Sequence, residues 1–328
     1  MEASLVQRAG LPFVAISAAG IHGVGARQLP RNLWRLARGT VSARRILTRH
    51  RPEVLLFTGG YVGVPVAMAG SGFPKVAYVP DIEPGLALQW ISRMADTVVV
   101  TAPESRRYYP ATKHVVVAGY PTRSDMAPVD RRDARIRLGL AIDVPVLLVY
   151  GGSRGARSLN RALWQHLPEV LKMAQVIHLT GDLDWPEVAR IREAQPAGLS
   201  GRYHPHAYLY EEMGLAMSAS DLAISRAGAS TLGEFPLFGL PAILVPYPHA
   251  WRYQHNNAEY LVSRGAAVQV KDESLSAELI PLLHSLLSNP ERLRNMSEAV
   301  RRLARPDAAR TIASEIESLS RKGGAGRG

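Results

Sequence analysis

The chain has 328 residues, 47% hydrophobic and 20% charged, so it can bury a large core, its length suggests two domains, and disorder is confined to the ends. It has no cysteine, which rules out a disulfide scaffold and thiolate metal sites and fits a reducing compartment. No apolar run approaches the roughly 20 residues that cross a bilayer, and the opening MEASLVQRAG is no secretory leader, so a soluble or peripheral cytoplasmic protein is expected.

A formal charge of +11 predicts an anionic partner. Between Ala3 and Pro52 there is no Asp or Glu, while Arg27, Arg31, Arg35, Arg38, Arg44, Arg45, Arg49 and Arg51 crowd the second half. On a helix, Arg31, Arg35, Arg38, Arg45 and Arg49 share one face and Leu33, Leu36 and Leu47 the other, with Trp34 and Val41 on the flank. Two readings stand: a packed helix with a solvated charged face, or adsorption to an anionic leaflet, where each basic residue contributes about 1 kcal/mol. The helix lacks the interleaved aromatics of single-strand binders, so nucleic acid is not expected.

Short, unalternating apolar runs follow, the pattern of buried parallel strands. The first series is PFVAIS (12–17), VLLFTGG (54–60), KVAYVP (75–80), TVVVT (97–101) and HVVVAGYP (114–121). After the charged segment DRRDARIRLGL come VPVLLVYGG (144–152), AQVIHLTG (174–181), YHPHAYL (203–209), DLAISRAG (221–228), PAILVPYP (241–248) and AAVQV (266–270). Two such series predict two doubly wound α/β domains facing a cleft, residues 1–130 and 131–310, with a flexible tail over 311–328.

Three Gly-flanked segments fall where such a cleft binds ligands, after strand ends. Gly59, Gly60 and Tyr61 follow the second run. Gly152, Ser153, Arg154 and Gly155 lie between a strand and a helix, where glycines admit a diphosphate, Ser153 can cap the helix and the dipole favours an anion; a plain tight turn has the same composition. No Gly-Lys-Ser/Thr follows, so this is not a P-loop. The third stretch, Ser225 to Ala258, puts Glu234 after one Gly-rich turn and Tyr253, Gln254, Asn256 and Asn257 after the next strand. A sugar nucleotide suits this set: diphosphate on helix amides, ribose diol on a carboxylate, hexose hydroxyls on side-chain amides. Glu234 equally fits a helix-dipole role. Arg123 lies at the domain junction, within reach of a phosphate or base. His204, His206, His249 and His255 lack carboxylates at ligand spacing, and no Gly-x-Ser-x-Gly elbow is present, so neither a metal site nor a covalent nucleophile is expected.

Taken together, GGSRGARSLN, FTGGYVGVP and the Ser225–Ala258 stretch resemble the MurG family of bacterial peptidoglycan glycosyltransferases, from about Ala3 to about Ala304. The resemblance implies a GT-B fold, transfer of N-acetylglucosamine from UDP-N-acetylglucosamine to lipid I with inversion, and peripheral residence on the inner face of the cell membrane. It implies no cofactor, the UDP-sugar being a substrate. It also implies that Glu234 binds the ribose, that Ala229, Ser230, Thr231, Leu232 and Gly152 to Gly155 lie near the nucleotide and diphosphate, that Gln254 and Asn257 approach the sugar, and that Arg123 contacts the donor.

The chain departs from the family in three places. The sequence starts after the family's opening strand and its Gly-Gly-Thr-Gly-Gly-His loop, about 40 residues, so an incomplete N-terminal domain is expected, from truncation or from a rebuilt acceptor half. Tyr78-Val79-Pro80-Asp81 replaces His-Glu-Gln-Asn, and Tyr253 replaces the first of two paired glutamines. An inverting transfer needs a base to take the acceptor proton; Asp81 is the first candidate, then Glu83 and His22. A different lipid acceptor, or nucleotide-sugar binding without catalysis, are the alternatives to lipid I.

Overall fold

The computed structural model describes residues 3, 6, 7, 9–16, 29–152, 155–250 and 252–325. Helix α1 (Leu29–His50) leads into β1 (Leu55–Phe57), α2 (Gly63–Ala69), β2 (Lys75–Val79), α3 (Leu86–Met94), β3 (Thr97–Val100), a 3-10 turn (Pro103–Tyr108) and β4 (Val115–Val117). These strands form a parallel sheet in the order β1-β2-β3-β4, with Leu55 opposite Lys75, Val76 opposite Thr97 and Val98 opposite Val115. After α4 (Arg131–Arg137) the second half runs β5 (Val146–Tyr150), α5 (Arg157–Gln165), α6 (Leu167–Met173), β6 (Gln175–Leu179), α7 (Val188–Glu193), β7 (Tyr203–His206), α8 (Met213–Ala219) and β8 (Leu222–Ser225). It continues through α9 (Thr231–Phe238), β9 (Ala242–Leu244), α10 (Tyr253–Val262), β10 (Ala267–Gln269), α11 (Leu275–Leu287), α12 (Pro290–Arg301) and α13 (Ala308–Ala325).

The second sheet is parallel throughout, in the order β10-β9-β8-β5-β6-β7. Helices cover both its faces, so β5, β6 and β8 are buried at every position, which is why their sequences do not alternate. The chain leaves β5 in one direction along the sheet and returns on its other side at β8. Ligands bind outside the strand C-termini at such a reversal.

Two expectations change. Residues 12–16 form no strand, and Leu11, Phe13 and Val14 face solvent. Among the described residues β1 pairs with β2 alone, so this run does not add to the free edge of β1. Nor is residue 311 onward a tail. Helix α13 crosses back to the first sheet and buries Ile312 with Val76, Tyr78, Val99 and Ala118, while Ile316 and Leu319 pack alongside. Glu315 pairs with His114 at 3.5 Å, and Ser320 donates to Glu53. Gly119, at φ 100°, lies so close to Arg305 and Ala308 that a Cβ there would overlap Arg305. The apolar stripe of α13 has no partner in its own half of the chain, and the far face of β2 and β3 supplies one.

Helix α1 is packed: Ala43 and Leu47 are buried in the core of the first sheet and Leu36 is half-buried. Of the arginines projected onto one face, Arg31, Arg38, Arg45 and Arg49 are exposed and Arg35 is half-buried; Arg44, outside that face, is exposed as well. Trp34 and Val41 stay exposed, with the Arg38 guanidinium 5.4 Å from the Trp34 ring centre. Among the described residues no helix is long and apolar enough to cross a membrane.

The α13 contact gives a direct expectation. Ile312→Ala should cost about 2–3 kcal/mol of stability, seen as a lower urea midpoint and faster proteolysis of the C-terminal helix. An unchanged midpoint would show that the helix does not hold the two halves together.

Candidate functional site

The site is built where β5 and β8 lie side by side. The chain leaves β5 through Gly151 and Gly152, turns back so that the Gly155 amide donates to the Gly152 carbonyl at 2.9 Å, and enters α5 at Arg157. Each glycine has its own reason. A Cβ at Gly151 would overlap Ala156, Gly152 has φ 91°, and Gly155, at φ 73°, sits against the Thr180 carbonyl. Ala156 occupies the N-cap and makes no side-chain cap, so the α5 amides there are left for a ligand. The cap expected from Ser153 is displaced to Ala156; Ser153 and Arg154 themselves lie outside the described residues, as do His22 and Arg27.

Thr180, the seat of that loop, is fixed by a buried relay. Trp164 Nε1 donates to the Tyr203 hydroxyl at 2.9 Å, which donates to His178 Nδ1 at 2.9 Å; His178 Nε2 then donates to Asn160 Oδ1 at 3.0 Å. Indole is only a donor, and this sets the direction of the chain. Asn160 Nδ2 donates to the Thr180 carbonyl at 2.8 Å and to Asp184 at 2.7 Å. Burial pushes the His178 pKa down to about 3, so it stays neutral.

Across from this loop, β8 ends at Ser225 and α9 begins at Thr231, whose hydroxyl donates to the Gly228 carbonyl at 2.7 Å. Glu234 lies in the first turn of α9, where the dipole favours an anion. Burial nevertheless raises its pKa, partly offset by the Ser230 side chain and by Arg123. A cavity of about 290 Å³ lies between the two turns. Arg123, Gly152, Ser230 and Glu234 give it a polar side, and Met126, Tyr150, Tyr208, Leu209 and Met213 an apolar wall. Arg123 is held over it by donation to the Tyr210 carbonyl at 2.8 Å and by Asp125 at 3.3 Å.

The other expected donor residues lie outside this cavity's lining. Thr231 and Leu232 are buried in the body of α9, Gly155 rests on Thr180, and Ala229 is half-buried in the turn. Gln254 Oε1 accepts from the Tyr247 amide at 2.8 Å. Asn257 departs furthest from its expected sugar contact. It is fully buried, donates to Asp81 Oδ1 at 2.8 Å and the Ala227 carbonyl at 3.1 Å, and accepts from the Ile82 amide at 3.0 Å. It is a bracket between the two halves of the molecule.

Glu83 is tied to α10 and the residue before it. Arg252 Nε and Nη2 donate to its Oε1 at 3.0 and 2.8 Å, and Asn256 donates to Oε2 at 2.5 Å. Both its oxygens are engaged and its side chain is buried, so in this structure Glu83 is held as an ion-pair anchor. Asp81 differs: Asn257 takes only Oδ1, and burial raises its pKa. Tyr120 brings it into the site's neighbourhood, lying close enough to Asp81 and Glu234 for both to raise its own pKa.

Tyr78 is occupied structurally, its hydroxyl 3.1 Å from Thr101 Oγ1 and donating to the Gly119 carbonyl at 3.2 Å. Tyr253 crosses to the start of α3, its hydroxyl against Gly85 and the Leu86 amide. Gly59 and Gly60 take φ 128° and 75° in the turn before α2, and Tyr61 is exposed rather than packed. Sequence reasoning missed the apolar wall and Arg252. Tyr208 and Leu209 could have been found, since they follow β7 at the same end of the sheet. Among the described residues no three His, Cys, Asp or Glu side chains gather as a metal site.

Residues 146–312 match the glycosyltransferase family 28 C-terminal domain, and residues 1–100 match that family's N-terminal domain. A Roseiflexus protein described as UDP-N-acetylglucosamine--N-acetylmuramyl-(pentapeptide) pyrophosphoryl-undecaprenol N-acetylglucosamine transferase is 41% identical, over 97% of this chain and 81% of its own length. A Geobacter sulfurreducens protein of the same description is 32% identical, over 98% of this chain and 88% of its own. The crystal structure of Acinetobacter baumannii MurG aligns with a TM-score of 0.73 at 27% identity, over 97% of this chain and 88% of that one. A Neisseria meningitidis UDP-GlcNAc 2-epimerase bound to UDP-GlcNAc shares the fold alone, with a TM-score of 0.64 at 12% identity.

The two glycines of the β5 turn separate strain from collision. Gly152→Ala meets open space and bears only the strain of its positive φ, about 1 kcal/mol, whereas Gly155→Ala must also displace the Thr180 carbonyl. Gly155→Ala should show the larger fall in melting temperature and the larger loss of UDP affinity by calorimetry. Equal effects would mean that the loop is not seated on Thr180.

Proposed function

The chain belongs to the family 28 glycosyltransferases, both of whose domains it matches, and from that membership we propose that it moves N-acetylglucosamine from UDP-N-acetylglucosamine to lipid I, the undecaprenyl-pyrophosphoryl-muramyl-pentapeptide of peptidoglycan synthesis. The observation that carries this reading is the convergence of Glu234, Ser230, Gly152 and Arg123 on one cavity at the strand-order reversal. Glu234 accepts both hydroxyls of the ribose, the apolar wall of Tyr208, Leu209 and Met213 faces the flat base, and the β5 turn with the α5 N-terminus holds the diphosphate. Residues 131–310 are thus the donor side and residues 1–130 the acceptor and membrane side.

In the transfer, the acceptor hydroxyl oxygen bonds to the anomeric carbon as the bond to the diphosphate oxygen breaks, inverting that carbon. Asp81 accepts the hydroxyl proton, and its raised pKa makes it a stronger base than an exposed carboxylate. The charge left on UDP falls to the α5 amides and Arg123, a role that needs no metal cofactor. The enzyme works at the inner face of the membrane. Support comes from the outward row of arginines on α1 and from exposed Trp34 and Trp90, each beneath an arginine.

Release of UDP should require UDP-N-acetylglucosamine and lipid I together; release only with another lipid, or none, overturns the assignment. Asp81→Asn should lower kcat by about 10²–10⁴-fold with UDP binding intact. In the parent enzyme kcat/KM should fall with acid as Asp81 takes a proton, at a pH above the usual carboxylate range, and the variant should lack that limb. Glu234→Ala should weaken UDP binding about tenfold or more, the loss of hydrogen bonds to a charged group. Adsorption to anionic vesicles should weaken with salt, and no comparable binding to DNA should be seen.

A further inference from the structure

Tyr120 follows β4, and its ring lies against the first turn of α9. A Cβ placed on Gly233 would lie 2.8 Å from the Tyr120 Cβ and carbonyl oxygen and 2.9 Å from its Cδ1. A glycine weakens a helix relative to alanine, and here the close approach of Tyr120 requires one. Gly233 immediately precedes Glu234 in α9, and Tyr120 and Glu234 line the same cavity. Other tyrosine hydroxyls of the interior are engaged or shut away. That of Tyr78 meets Thr101 and Gly119, that of Tyr203 meets Trp164 and His178, and those of Tyr109 and Tyr150 are wholly enclosed. Tyr120 is half-buried, and among the described residues its hydroxyl makes no hydrogen bond although it is not enclosed. It is a free donor at the edge of an open cavity.

The surroundings decide what it can meet. Burial first, then the Glu234 and Asp81 carboxylates, raises the Tyr120 pKa above that of an ordinary phenol, so the group keeps its proton and can donate. An ionised Glu234 only accepts, the Ser230 side chain is turned to it, and Arg123 is held by the Tyr210 carbonyl and by Asp125. A ribose hydroxyl is both donor and acceptor. One that gives its proton to Glu234 still has lone pairs to satisfy, and a neutral O–H beside that carboxylate satisfies one of them. A site that hydrogen-bonds a hydroxyl rejects the analogue that lacks it, because its own polar groups are then left unmet.

We propose that Tyr120 donates to one of the two ribose hydroxyls that Glu234 accepts, so that the pair reads a ribonucleotide donor against its deoxy analogue. The inference rests on the donor reading above and adds to it a specificity residue from the first half of the chain. Its test is calorimetry of UDP, 2′-deoxy-UDP and 3′-deoxy-UDP with the parent chain and with Tyr120→Phe, which removes a single oxygen; a melting curve checks that the variant is folded. The variant should bind UDP about three- to tenfold more weakly, the worth of one neutral hydrogen bond. It should bind the analogue that lacks the contacted hydroxyl as well as the parent does. Unchanged UDP affinity in the variant would remove Tyr120 from the site and leave the donor reading standing. Equal weakening for all three nucleotides would mean that the hydroxyl acts elsewhere than on the ribose, and would overturn the proposal. A parent chain that binds no UDP would end the donor reading and this inference together.

Discussion

The parallel pairing of β5 with β8 is the constraint from which the site follows. Because the chain runs outward from β5 on one side and returns at β8 on the other, the two connecting turns diverge and leave a gap at the strand ends. Of the residues that line the cavity, Gly152 hangs on one of those turns, and Ser230 and Glu234 on the other. The glycines are fixed by backbone geometry rather than by contact with a ligand. The turn must double back over Thr180, and the His178 relay keeps Thr180 in place beneath it.

A second constraint joins the halves. Asn257 and Asn256 on α10, with Arg252 just before it, grip Asp81, Ile82 and Glu83 at the end of β2. Glu83 is a buried carboxylate, and stripping it of its partners would cost about 3 kcal/mol or more, so this contact resists opening. Arg264 adds an ion pair to Glu104 at the far end of α10. The same helix carries Gln254, whose side chain accepts from the Tyr247 amide. Two carboxylates lie two residues apart, at Asp81 and Glu83, and their surroundings differ: one oxygen of Asp81 is bonded, whereas both of Glu83 are.

The periodicity of the chain made much of the fold legible. Strands buried on both faces have unalternating apolar sequences, and the runs at 54–60, 75–80, 97–101, 114–121 and 144–152 each contain one. The outward arginines of α1 followed from a 3.6-residue repeat. Glu234, Ser230, Gly152 and Arg123 were legible because strand-end positions after glycine turns have few places to go. The run at 12–17 misled because an apolar run shows only that a segment can pair, not that it does: residues 12–16 form no strand although β1 keeps an unpaired edge among the described residues.

By itself, then, the sequence determined the α/β class, the two sheets, the polar half of the cavity and the family. Tertiary structure decided where α13 packs, that Asn257 and Glu83 are engaged across the two halves, and which side chains form the apolar wall. The physical reason is range. Local pattern records that a face or a polar group must be satisfied, but the partners here lie far apart in the chain, Asn257 from Ile82 and Ile312 from Val76, and only folding chooses among the partners that chemistry allows.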